Sequence, residues 1–450
     1  MFESLATNPI WLIAAALIGL GVLLVLIIKF KVQAMIAILI GAILIGMLAG
    51  MPFSAIVDSV NQGIGGTLQG IALLVGLGSM FGAILEVSGG AQSIAIKMTD
   101  TFGDKKAAWA LGITGMIIAM PVFFDAGLII LIPLAFSLAK KTGRSALHYT
   151  IPLLAGLAVG HAFIPPTPGP VLVASMLGVD LGWVILVGIF CGAVAMILGG
   201  PVFGNYCGNK FNIAVPDSFQ TAEFENDKLP KFGTVVAIIL VPLLLIILKS
   251  VAPFIGFLAP AVPFINFLGQ PFVALVIATV LAMFLLGIKH GYSMEELEKI
   301  MTKSLEPTGM LLLVTACGGV LRYVLQNSGI GMIIGNSVAS IHLPIVIVAF
   351  LIAGLVRISV GSATVAMTMA AGIVAAMPEI AGLSQLHLAC VTAAVAGGAT
   401  ICSHFNDSGF WLVKSLVGLD EKTTLKTWTM METIVGASGF VVALVISIFA

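Results

Sequence analysis

Asp125, His161, Arg357, His404 and Asp407 interrupt stretches that are otherwise apolar. Each brings a distinct chemistry. Arginine presents a planar set of donors that matches a carboxylate, bidentate where the geometry allows. Histidine exchanges protons near neutral pH. Burial favours a neutral carboxyl and a neighbouring cation favours the anion, so an aspartate held between the two influences is suited to carrying a proton. Arg357 therefore either binds an anion or pairs with Asp407 and nearby carbonyls, and Asp407 is a proton carrier, a cation ligand or a helix cap. Around these residues stand small polar groups. "VGSAT" supplies Gly361 for close backbone approach and the hydroxyls of Ser362 and Thr364, "FNDSG" places Asn406 and Ser408 beside Asp407, and "PPTPGP" holds Thr167. Hydroxyls in such numbers suit a polyol, although small residues in membrane helices also serve as packing contacts.

Other chemistries fit the chain less well. Its 20 basic and 20 acidic residues give zero net charge, which argues against a nucleic-acid partner. Cys191, Cys207, Cys317, Cys390 and Cys402 are scattered without a C-x-x-C pair, so neither a disulfide framework nor a structural zinc or iron–sulfur site is expected. No cofactor or metal is expected, and the coupling ion is read as a proton. Unwound carbonyls together with Asn406 keep sodium open as an alternative. An intramembrane aspartyl protease would need paired aspartates on facing helices, whereas Asp125 and Asp407 lie in loop-like breaks.

The elements that must position these residues follow from composition. Sixty per cent of residues are hydrophobic and 9% charged, and the mean hydropathy is +1.17. The apolar runs are about 17–22 residues long, enough for helices to cross a hydrocarbon layer of about 30 Å. Only helices satisfy their own backbone across that layer in an open chain. The run from Ile10 to Ile28 has no basic stretch before it and no small-residue cleavage site after it, which predicts a retained helix rather than a signal peptide.

A shift of 240 residues lays Phe163–Asp180 over Ser403–Asp420, pairing Gly169 with Gly409, Gly178 with Gly418 and Asp180 with Asp420. The same shift sets Gly78 on Gly318 and Ser88-Gly89 on Ser328-Gly329. Lysine and arginine stay on the cytoplasmic side of short loops. Holding the clusters around 97–106 and 140–144 on one face requires residues 107–139 to enter and leave from that face. The counterpart 344–378 is flanked by Ser340, His342, Glu379 and His387, without lysine or arginine outside its break, so it should enter from the opposite face. The expected fold is an all-α polytopic membrane protein of two inverted-topology repeats, with about ten crossings, two re-entrant hairpins and two broken helices. The first repeat spans 1–204, with a hairpin at 107–139 and a broken helix at 147–182. A cytoplasmic linker covers 205–232. The second repeat spans 233–450, with a hairpin at 344–378 and a broken helix at 385–418. Residues 251–270 are expected to lie at the interface, and both termini outside. In such a fold hairpin tips and helix breaks meet near the midplane, where half-helix N-termini favour an anion.

Four stretches, "GIGGTLQGIALLVGLGSMFGAIL", "GHAFIPPTPGP", "RISVGSATVA" and "SHFNDSGFW", resemble the signature regions of the gluconate:proton symporter (gluconate permease) family, within the ion transporter superfamily. The likeness covers nearly the whole chain. It implies a bacterial inner-membrane, multi-pass carrier taking up gluconate or a related sugar acid with protons, dimeric and of elevator type, in which the bilayer and a small anionic substrate are the partners. Arg357, Gly361, Ser362, Thr364, His404, Asn406 and Asp407 match the family pattern, which favours a hydroxy acid over an amino acid as substrate; from the residues themselves, Arg357, Gly361, Ser362, Thr364, Thr167, Asn406, Ser408 and His161 are the candidates for substrate binding, and Asp125, Asp407 and His404 for proton coupling. Two positions depart from it, since Asp125 stands where glutamate is usual and Thr167 where histidine is usual. The alternative substrates are D-serine or another small hydroxy or amino acid, and the alternative mechanism is sodium-coupled symport of an organic anion.

Overall fold

The structure is a computed structural model that describes residues 8–216, 229–333 and 343–450. All secondary structure among them is helical. In the first half the helices are α1 (Pro9–Ile28), α2 (Ala34–Leu48), α3 (Phe53–Val87), α4 (Gly90–Phe102), α5 (Ala107–Ile118), α6 (Phe124–Thr142), α7 (Leu147–Phe163), α8 (Pro168–Leu177), α9 (Leu181–Ile197) and α10 (Phe203–Lys210). The second half has α11 (Phe232–Val251), α12 (Pro271–Ala282), α13 (Met294–Asn327), α14 (Ile345–Val360), α15 (Ala363–Ala375), α16 (Gln385–Thr400), α17 (Ser408–Val417) and α18 (Met430–Ser447). The 240-residue shift carries α8 onto α17 residue for residue and α3 onto 293–327, one residue longer than α13. Gly178 and Gly418 end the paired helices with φ of 72° and 73°, a left-handed conformation that glycine adopts without strain.

Local signals set the boundaries. The Asn8 side chain accepts from the N–H of Ile10 and Trp11 ahead of Pro9, and Ser293 and Glu296 form a reciprocal capping box at the start of α13. Eight described stretches are long and apolar enough to cross a membrane: Pro9–Ile28, Phe53–Val87, Leu147–Leu177, Leu181–Lys210, Phe232–Phe254, Pro271–His290, Met294–Asn327 and Glu421–Ser447. The expectation of ten crossings would further require α2, of 15 residues, and the broken pair α16–α17. At 1.5 Å per residue α5 reaches only about 18 Å and α15 about 20 Å, well short of the hydrocarbon thickness. Residues 251–270 form short turns and the seven-residue helix Val262–Leu268, none long enough to cross.

Three boundaries differ from the sequence expectations. The first hairpin breaks at 119–123, so Asp125 lies in the first turn of α6 rather than inside the break. The second hairpin breaks only at Gly361 and Ser362, because Gly361 (φ 86°) closes α14 and Ser362 caps α15; Arg357 is therefore in the last turn of a helix. Helix continues through Pro201 to Lys210 by way of a wide turn at Leu198–Val202, so the expected linker is helical over its first six positions. Residues 217–228 of that linker, and Ser340 and His342 beside the second hairpin, lie outside the described residues.

Small residues let the helices that carry the site approach closely. A Cβ on Gly63 of α3 would sit 2.5 Å from the Val320 Cα of α13, and one on Gly319 would sit 2.6 Å from the Gly63 carbonyl oxygen. Between the spanning helices, Asp180 ties the start of α9 to the end of α11. Its Oδ1 accepts from the Gly182 N–H at 2.9 Å and from Ser250 Oγ at 2.5 Å, and its Oδ2 accepts from Lys249 Nζ at 2.7 Å. Burial pushes the Asp180 carboxyl up, but Lys249, Ser250 and the Gly182 N–H outweigh it and hold the group below the ordinary value of 3.8.

Two outcomes are expected. Gly63→Ala should lower stability by about 1–3 kcal/mol, since the opposing atoms are backbone; an unchanged melting temperature in detergent would contradict the close crossing. A depressed carboxyl stabilises the fold above its ordinary value and loses that contribution as pH falls through the folded-state value. The melting difference between wild type and Asp180→Asn should therefore be present at neutral pH and shrink below pH 3.8. A difference independent of pH would contradict the charge assignment.

Candidate functional site

The tip between α14 and α15 meets the break between α16 and α17 edge to edge. Asn406 Nδ2 donates to the Ile358 carbonyl at 2.9 Å and the Ser359 carbonyl at 3.4 Å, satisfying two acceptors at the C-terminal end of α14. A Cβ at Gly361 would lie 2.2 Å from the Asn406 carbonyl oxygen, so this contact excludes any side chain at the tip. The break itself is held from α18 and the wide turn before it. Cys402, at φ 53°, donates its N–H to Thr433 Oγ1 at 3.1 Å, and Thr429 Oγ1 donates to the Ser403 carbonyl.

At this junction Arg357 is 2% exposed. Its Nη2 donates to Asp407 Oδ2 at 2.5 Å. Asp407 accepts two further bonds, from Ser403 Oγ to Oδ2 at 2.5 Å and from the Gly409 N–H to Oδ1 at 3.0 Å, the latter as the cap of α17. Ser403 Oγ in turn accepts from Trp428 Nε1 at 2.7 Å. A chain thus runs Trp428, Ser403, Asp407, Arg357. Nε and Nη1 of Arg357 are buried and have no partner among the described residues. Buried donors are rarely left unpaired, and exceptions mark a missing ligand or water.

Arg357 lines a cavity of about 420 Å³, within the range of about 300–1,000 Å³ usual for small-molecule sites. Of the residues expected from sequence, Asp125, His161, Arg357, Ser362, Thr364, Asn406, Asp407 and Ser408 line it. Gly361 shapes the tip without lining the cavity. His161 projects from the last turn of α7 with Nδ1 unpartnered, near the ring of Phe123 at 6.5 Å. Two candidates fall outside. Thr167 is 4% exposed, donates its hydroxyl to the Ile164 carbonyl at 2.7 Å, and borders a separate void near Ser79. His404 is turned against Phe405 and borders no part of the cavity.

Helix starts converge here. Phe124 and Asp125 of α6, Pro168 of α8, Ala363 and Thr364 of α15, and Ser408 and Gly409 of α17 all line the cavity from the first turns of their helices. Four positive dipole ends add to the guanidinium in favouring an anion. Sequence reasoning passed over Glu432, which lines the same cavity at 5% exposed, and Trp428, packed on Phe124 with ring centroids 5.4 Å apart. The signal for Glu432 was available, because an acidic residue inside the last apolar run is a functional candidate by default.

Two substitutions test this geometry. Arg357→Lys keeps the charge but removes the Nε and Nη1 donors, and should weaken anion binding about 10- to 100-fold, the equivalent of one charge-assisted hydrogen bond; unaltered binding would show that those donors face no ligand. Asp407→Asn strands the buried guanidinium and should destabilise the protein by about 3–5 kcal/mol, read as a loss of melting temperature.

Residues 11–449 match the GntP family permease domain. The chain is 38% identical over 435 residues to the low-affinity gluconate transporter of Escherichia coli K12, covering 96% of this chain and 98% of that protein. It is 35% identical over 441 residues to the Gnt-II system L-idonate transporter of the same organism, with 98% and 99% covered. Among solved structures, MtrF of Neisseria gonorrhoeae superposes with a TM-score of 0.62 at 15% identity, over 86% of this chain and 84% of that one, which is a likeness of fold alone. The match over almost the full length, in a bundle of membrane-length helices, places this protein in the GntP family of permeases, a family of transporters rather than enzymes.

Proposed function

We propose that the protein takes up gluconate or a related sugar acid together with protons across the bacterial inner membrane by alternating access. The observation that carries this is buried Arg357, which lines a cavity of substrate size and has two donors unpartnered among the described residues. A sugar-acid carboxylate fits those donors, and the hydroxyls of Ser362, Thr364 and Ser408 with the amide of Asn406 fit the polyol chain. The gluconate and L-idonate transporters among its relatives agree with that substrate class.

Charge balance supports proton coupling. The cavity already holds one guanidinium against the carboxyls of Asp125, Asp407 and Glu432. A fourth carboxyl, brought by the substrate, is tolerable in a low-dielectric site only if protons accompany it. In this reading Asp125 and Asp407 are the coupling candidates named from sequence. His404 would act from behind the break.

Alternating access draws support from an asymmetry between the halves. α8 packs against α3, α15 and α16, whereas its counterpart α17 has no comparable packing on α13, α6 or α7 among the described residues. One gate is then closed and the related one open. Exchanging those contacts between inverted repeats would carry the site across the membrane. Ten crossings, both termini outside, a homodimer and an elevator motion complete the proposal.

The test is uptake of radiolabelled gluconate by proteoliposomes under an imposed inward proton gradient, with aldonates and D-serine as competitors. Gradient-driven uptake competed by aldonates is expected. Uptake that requires sodium, or transport of D-serine in place of gluconate, would contradict the proposal.

A further inference from the structure

Asp407 is already engaged, because Arg357, Ser403 and the Gly409 N–H all donate to its oxygens. Asp125 is exposed at the mouth of the cavity, in the first turn of α6. Glu432 differs from both. It lies 5% exposed in α18, and no hydrogen bond or ion pair reaches its carboxyl among the described residues. Of the helices packed on α18, α9 and α16 contain no aspartate, glutamate, lysine or arginine, whereas α14 carries Arg357 and α7 carries His161. The charged and titratable groups facing it are Arg357 of α14, Asp407 of the break, His161 of α7 and, across the cavity, Asp125. It lines the same cavity as Arg357 and Asp407.

Resting on the symport reading above, we propose that Glu432 is the coupling site: its carboxylate repels the substrate carboxylate from the cavity that both share with Arg357, and protonation of Glu432 removes that repulsion so that the substrate can bind. The proton moves from cavity water onto a Glu432 oxygen on the side of uptake. After the substrate leaves, Glu432 returns the proton to water on the other side and its carboxylate again repels an anion from the cavity. No other bond forms or breaks. Trp428, one turn before Glu432, hydrogen-bonds through Ser403 to Asp407, so the helix bearing the proton site is tied to the anion site.

The test uses purified full-length protein in proteoliposomes, comparing wild type, Glu432→Gln and Glu432→Asp, with radiolabelled gluconate as the probe. Two readouts are needed: accumulation driven by a proton gradient, and exchange of internal for external gluconate without a gradient. Glu432→Gln should retain measurable exchange, lose accumulation, and bind gluconate with an affinity that no longer depends on pH. Glu432→Asp should keep accumulation with a shifted pH profile. Gradient-driven accumulation by Glu432→Gln would overturn the proposal, as would loss of exchange together with accumulation in a variant that melts like wild type. Should Glu432→Gln fail to fold, an unshifted profile in Glu432→Asp overturns it instead. Wild-type protein that ignores the proton gradient would refute the symport reading and this inference with it, a result distinct from a coupled wild type and an equally coupled Glu432→Gln.

Discussion

A guanidinium buried to 2% exposure inside a membrane bundle constrains everything around it. An isolated charge in that setting costs several kcal/mol even after relaxation. One carboxylate, Asp407, meets one of its nitrogens, and the rest of the architecture serves to hold that carboxylate in place. The α16–α17 break exists so that Asp407 can leave the helix axis and cap α17. Asn406 pins the break to the α14–α15 tip, Gly361 lets the two backbones touch, and Ser403, itself accepting from Trp428, donates to the same carboxylate oxygen as Arg357. Broken helix at this depth is tolerated because protein groups satisfy the freed backbone.

The pair leaves the guanidinium partly unanswered. Its Nε and Nη1 donors make the site attractive to a carboxylate, while Asp125 and Glu432 make it repellent to one when both are ionised. Attraction and repulsion in one cavity are what couple two ligands: an anion binds better once a carboxyl is neutralised, and by linkage a proton binds better once the anion is present. Symport in this view needs no long-range communication, only three carboxyls and one arginine within a single low-dielectric volume.

Much of this was legible in the amino-acid order because broken helices require residues that cannot continue a helix. Pro165, Pro166 and Pro168, Gly361, and the Asn406-Asp407-Ser408-Gly409 run announce the breaks, and the 240-residue correspondence announces their pairing. Arg357 and Asp407 stood out as charges among apolar neighbours. Side-chain direction was not legible. Thr167 shares the break with cavity-lining Pro168, yet its hydroxyl turns back to the Ile164 carbonyl. His404 precedes Asn406 by two residues and faces Phe405 instead of the cavity. Glu432 was overlooked because α18 has no proline or glycine break at that point to draw attention to it. Only packing against the α16–α17 break brings it to the site. The narrowness of the second hairpin tip is not legible for a similar reason, since a two-residue turn through a left-handed glycine leaves Arg357 helical.

The most direct measurement of joint binding is the proton balance when gluconate is added to purified protein in weakly buffered solution, followed with a pH indicator. Net proton uptake that saturates with gluconate, and disappears in Arg357→Lys at the same gluconate concentrations, is the expected result. Gluconate binding with no proton uptake at any pH would contradict the idea that one buried arginine, shared among carboxyls, couples the anion to the proton.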